Sequence, residues 1–201
     1  MTMTKTISRN FFLLLFLTLI ITAFIGDPAA KQANKIEATP LAEILPTYAT
    51  HFDFPVGKPD GEGYYNAQVF GKNNHLGDDW NGNGGGDTDF GDTIYSVANG
   101  YIQSAENQGS GWGKVIMIKH YMETESNVIS LYAHCDKMLV TKANHFIRRS
   151  EPIGTIGNAD GIYPAHLHFE IRSDTDLGIG GGYSANTSGY LDPTKFIKAH
   201  R

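Results

Sequence analysis

Three features of the 201-residue sequence predict an all-β fold, a compact antiparallel sheet folded on itself with short peripheral helices. Short runs rich in Val, Ile, Tyr and Thr recur between Gly and Asn turn signals. Glycine is abundant, at 23 residues beside ten tyrosines. Pro164 to Arg172 alternates Leu167, Phe169 and Ile171 with His166, His168, Glu170 and Arg172, the period of a strand with one apolar and one polar face.

The elements follow in chain order. Residues 1–26 read as an export signal or N-terminal anchor: Lys5 and Arg9 precede the fifteen-residue apolar stretch Phe11 to Ile25, and Gly26-Asp27-Pro28 breaks it. Fifteen helical residues reach only about 22 Å against a hydrocarbon core of about 30 Å, which favours a signal over a permanent span. Residues 27–50 are polar, a linker or short pro-segment, with a possible short helix from Thr39 to Leu45. A single folded domain is expected over residues 51–201.

Within it, loops and a short strand around Tyr64 to Gly71 lead to His75-Leu76-Gly77-Asp78-Asp79, where Asn73, Asn74 and Gly77 favour a loop feeding a strand over a helix. Asn81 to Asp89 is glycine-rich and acidic. It lacks the spacing and terminal Glu of a calcium loop, so a mobile loop at the rim of a site is the better reading. Strands are expected at Thr93 to Ala98, Tyr101 to Ala105, Lys114 to His120, Val128 to His134 and Ile153 to Ile156, with Asn99-Gly100 as a hairpin turn. Asp192-Pro193 opens a short terminal helix.

The formal charge of -5 and pI near 5.9 argue against a nucleic-acid partner, which would call for a basic surface. Cys135 stands alone and cannot form an internal disulfide. It neighbours His134, but adjacent residues of a strand face opposite ways, so Cys135 is assigned to the core rather than to a Cys-His nucleophile pair.

His166 and His168 on one strand face lie ~7 Å apart at the backbone, close enough for one to bind a metal and the other to reach a water or substrate beside it. With His75-x-Gly77-x-Asp79, Tyr132-Ala133-His134 and His166-Leu167-His168-Phe169-Glu170 in that order, the chain resembles the lysostaphin and LytM type of zinc metallopeptidase from about Phe70 to Phe196. The resemblance implies one Zn2+ per chain held by His75, Asp79 and His168, with His134 and His166 as the catalytic pair. It implies a bacterial, extracytoplasmic endopeptidase acting on peptidoglycan stem peptides or cross-links, with membrane contact only through an uncleaved N-terminal segment. A relative that binds wall peptides or activates an amidase without catalysis is the alternative, although no ligand position is missing. A protease of glycine-rich proteins would share the mechanism.

The family places a carbonyl-stabilising tyrosine ahead of the first zinc ligand. Tyr64 and Tyr65 are both candidates, with core packing the plainer role. The His-Glu-x-x-His helix of other metallopeptidases is absent. Glu170 is expected to support His168 or face solvent, His120 to be structural, and His51, His145 and His200 to lie on the surface. Asp78, the long loop after Trp80 and Ile162 to Ala165 depart from the family pattern. They bear on substrate preference more than on metal binding.

Overall fold

The computed structural model describes residues 47–201. The export segment, most of the linker and the Thr39–Leu45 helix lie outside them. Ten strands run β1 (Tyr64–Gln68), β2 (Asp78–Gly82), β3 (Thr93–Tyr95), β4 (Gly100–Asn107), β5 (Lys114–His120), β6 (Val128–Met138), β7 (Phe146–Ile147), β8 (Pro152–Ile156), β9 (Leu167–Arg172) and β10 (Tyr190–Leu191), followed by helix α1 (Pro193–Ala199). Every pairing is antiparallel, in the order β1-β2-β9-β6-β5-β4-β7, with β10 on β9, β8 on β6 and β3 on β8. No helix among the described residues is long and apolar enough to cross a membrane.

β6 folds the sheet on itself. Ile129–Ala133 pair with β9, whereas Cys135–Met138 pair with β8. Between the two halves His134 takes a left-handed φ of 62°, a conformation uncommon for a residue with a side chain. The strand changes partner there and carries the imidazole out of its regular face.

β5 and β6 bury both faces. Ile116, Ile118, Tyr132, Leu167, Phe169 and Ile171 join the main core, while Val115, Met117, Ile129, Leu131 and Ala133 form a second cluster capped by Trp112 and Ile179. Cys135 is buried in the main core as expected, and burial raises its thiol to about 12.

Three expectations are corrected. Asn99-Gly100 does not turn a hairpin: β3 pairs with β8, and β4 pairs with β5 and β7. Gly100 is instead a point of close approach, where a Cβ would lie 2.7 Å from His120 Nδ1 and from Lys119 O. The strand expected to run to Ala98 stops at Tyr95, because Ser96 Oγ turns to Ala98 O and Val97 N to the Tyr132 hydroxyl. His200 is not free on the surface: its ring stacks on Phe196 at 4.1 Å and its Nδ1 donates to Phe196 O. His51 and His145 are exposed.

Candidate metal centre and its cleft

β2 and β9 lie side by side in a register that sets Asp79 opposite His168. His75 approaches from a short 3-10 turn (Lys72–Asn74) and bridges Tyr183. The glycine between the two upstream residues is required by packing: a Cβ on Gly77 would lie 2.4 Å from Phe169 O and 3.1 Å from His168 Cε1. Three donor atoms converge as a result. His75 Nε2 is 2.9 Å from His168 Nδ1 and 3.2 Å from Asp79 Oδ1, and His168 Nδ1 is 3.0 Å from Asp79 Oδ1.

This triangle fits zinc. A tetrahedral ion bound at about 2.0–2.1 Å separates its ligand atoms by about 3.3 Å, and two imidazoles with one carboxylate are an established donor set that leaves a position open. The orientation of His168 fits as well. Its Nε2 lies 2.9 Å from Glu170 Oε1, and a carboxylate can only accept, so Nε2 carries a proton and Nδ1 is the nitrogen turned to the triangle, where a metal would take the place of any proton.

The polar face of β9 is therefore not solvated. Glu170 and Arg172 are both fully buried, with Arg172 Nε donating to Glu170 Oε2 at 2.6 Å. Burial opposes charge on His168, but hydrogen bonds to Asp79 and Glu170 outweigh it and raise the imidazole to about 9. Burial pushes Asp79 upward too, yet its bonds to His168 and His75 hold it well below the usual carboxylate range.

The remaining two histidines line the same cleft. His134 Nδ1 lies 3.2 Å from Trp112 O and His166 Nδ1 lies 2.8 Å from Pro164 O. Carbonyls only accept, so both rings carry a proton on Nδ1. The rings are 4.7 Å apart by centroid, and His166 Nε2 is 3.9 Å from Asp79 Oδ1. Burial, reinforced by His166 and His168, lowers His134 to about 3, so it is neutral at physiological pH. Asp79, His134, His166 and His168 thus line one cleft of about 320 Å³, and His75 reaches Asp79 and His168 from a fully buried position.

Of the cleft walls, only the stretch with Tyr163 and Pro164 was singled out in the sequence. Ser110, Gly111 and Trp112 form one side, Tyr163 and Pro164 another, and Gly181, Gly182 and Tyr183 a third. Tyr64 donates to Asp92 and Tyr65 is exposed, and neither lines the cleft. Tyr183 does, packing over His75 at 5.1 Å with its hydroxyl held by Gln68 Nε2. The only sequence signal for this wall was a glycine run ending in an aromatic residue.

Asp78 faces away from the donors. It accepts from Phe70 N, Thr194 N and Thr194 Oγ1, tying β2 to the start of α1. His120 is buried between Asn99 O and Ser130 Oγ, outside the cleft lining. The loop after Trp80 is pinned near the cleft: Asn81 Nδ2 donates to Ala165 O, and Asp87 accepts from Ala165 N. Among the described residues its acidic groups do not converge as a metal site, whereas His75, Asp79 and His168 do.

Residues 75–178, just over half of the chain, match the description Peptidase family M23. Over 82 residues the chain is 37% identical to lipoprotein NlpD of Yersinia enterocolitica, covering 41% of this chain and 78% of that protein. It is equally 37% identical to murein hydrolase activator NlpD of Escherichia coli K12, where the match covers 41% of this chain but only 20% of the relative. The structure of the antimicrobial peptidase lysostaphin from Staphylococcus simulans superposes with a TM-score of 0.51 at 22% identity, covering 69% of this chain and 50% of lysostaphin, a likeness of fold. From the family match and the Yersinia relative together, the chain belongs to peptidase family M23.

Proposed function

We propose that the chain is an exported, zinc-dependent endopeptidase that hydrolyses peptide bonds in the stem peptides or cross-links of bacterial peptidoglycan. The observation that carries this reading is the set gathered at one place: three donors 2.9–3.2 Å apart and two further imidazoles whose Nδ1 atoms are each held by a backbone carbonyl. His75, Asp79 and His168 would hold the ion. Bound there, zinc supplies a Lewis acid and lowers the pKa of a water.

The chain's own groups do the rest. Trp112 O and Pro164 O keep His134 and His166 in the tautomer that can accept a proton at Nε2. One ring takes the proton from the attacking water, and the pair passes a proton to the departing amine nitrogen. The protonated partner also stabilises negative charge developing on the scissile carbonyl oxygen. Trp112, Tyr163 and Tyr183 line the cleft in which the reacting bond would lie.

The name murein hydrolase activator among the relatives favours a second reading, in which the same cleft binds wall peptides and the chain stimulates a separate hydrolase. Incubation of the purified, zinc-supplied chain with peptidoglycan sacculi separates the two. Release of peptides with new amino termini, abolished by a chelator and restored by zinc, is the expected result. No release from sacculi, together with stimulation of an added amidase, would establish the activator reading instead.

A further inference from the structure

Arg172 is wholly buried, and a buried guanidinium must have its charge and donors matched. Its Nε meets Glu170, the carboxylate that orients His168. Its other two nitrogens reach forward along the chain, Nη1 donating to Gly178 O and Nη2 to Ile179 O, both at 2.9 Å. These carbonyls open the segment that becomes the third wall of the cleft at Gly181, Gly182 and Tyr183.

Other ties hold the far end of the wall, where Tyr183 bridges His75 and accepts from Gln68 Nε2, but few hold its glycine run. No regular secondary structure runs from Gly178 to Gly182, and four of these five residues are glycine. Downstream of the arginine fork, Gly180 O accepts from Trp112 Nε1 at 3.0 Å and Gly182 O accepts from Leu76 N at 2.9 Å. Ile179 packs on the second core cluster. Glycine loses more backbone freedom on ordering than any other residue, so such a segment stays in place only through its ties. The fork supplies two of them, at adjacent carbonyls, from the same group that braces His168.

We propose that Arg172 is a positioning residue: it ties the wall Gly178–Tyr183 to the His168–Glu170 pair, so that the order of the wall, and with it affinity for the peptide substrate, depends on the arginine fork. The consequence for substrate rests on the peptidase reading, and the consequence for the wall does not. Lysine keeps the charge at this position but cannot place three donors in one plane toward a carboxylate and two carbonyls. Arg172→Lys is therefore expected to spare the metal ligands while releasing the wall. Arg172→Gln also removes the partner of a buried carboxylate, and is expected to weaken zinc binding in addition.

The test is amide hydrogen exchange on the full zinc-loaded chain, native and both variants, with zinc content measured on the same samples. For Arg172→Lys we expect about one zinc per chain, native protection in β5 and β6, and exchange in 178–183 faster by on the order of tenfold or more. KM for a wall peptide should rise about tenfold with kcat within about threefold, the signature of lost binding rather than lost chemistry. Unchanged exchange in 178–183 would overturn the proposal. So would a loss of protection in β5 and β6 as large as in the wall, which would make Arg172 a residue of the fold alone. A native chain that cleaves nothing would remove the peptidase reading, while the exchange comparison would still decide what Arg172 holds.

Discussion

His168 meets Asp79 and His75 through Nδ1 and Glu170 through Nε2, so the ring is oriented with Nδ1 toward the other two donors before any ion arrives. Glu170→Gln keeps the size of the side chain and removes its charge. Loss of such an outer partner typically weakens metal affinity about 10–100-fold, and that is the change expected in a competition titration against a chromophoric chelator. The same ring predicts a pH dependence. With its imidazole raised to about 9 in the absence of metal, His168 is protonated below that pH and zinc must displace the proton. Apparent zinc affinity should therefore climb with pH up to about 9, and a flat profile from neutral pH to that point would contradict the assignment. His166→Ala should keep the metal and lose activity by about 10²–10⁴-fold, the usual contribution of a positioned acid or base.

Among the elements, β5 and β6 share a buried polar contact that ties stability to pH. His120 at the end of β5 is buried, held between Asn99 O and Ser130 Oγ, and burial lowers it to about 4 from 6.5. The unfolded chain takes up the proton near 6.5, whereas the folded chain resists it until about 4. Stability is thus complete above 6.5 and falls as pH drops through that window, by on the order of 3 kcal/mol from this residue. Denaturant unfolding of native and His120→Gln chains checks it: the variant should lose less stability than the native chain on acidification. At the junction of β2 and α1, Asp78→Ala leaves Phe70 N, Thr194 N and the Thr194 hydroxyl without their acceptor. A cost on the order of 3 kcal/mol is expected, with zinc content unchanged. Loss of zinc from a variant that remains folded would show that Asp78 also supports the metal centre.

At the scale of the whole molecule, the site exists because the sheet turns back on itself. Asp79 and His168 come from neighbouring strands, His75 from the turn before β2, His134 from the left-handed residue where β6 changes partner, and His166 from the bridge to Gly157 that precedes β9. The strands were legible because each leaves a local mark, such as alternation at Leu167–Arg172, and the donor set was expected from the family resemblance carried by His75-x-Gly77-x-Asp79 and His166-x-His168. What was not legible depended on distant parts of the chain. Trp112 enters the site from a hairpin turn, Tyr183 from an irregular segment, and Arg172 acts through carbonyls six and seven residues ahead. Asn99-Gly100 misled because its glycine answers a close approach to His120 rather than a turn. Both faces of β9 are buried, one by apolar contacts and the other by an ion-pair chain, and alternation alone cannot separate that from a solvated face.

The measurement that bears most directly on the metal centre is tightly bound zinc per chain for the native protein, His168→Ala and His166→Ala. About one zinc in the native chain, none in His168→Ala and about one in His166→Ala is the expected pattern. A native chain that holds no zinc when supplied with it, or a His168→Ala variant that binds it as tightly as the native chain, would contradict the assignment of His75, Asp79 and His168 as the ligands.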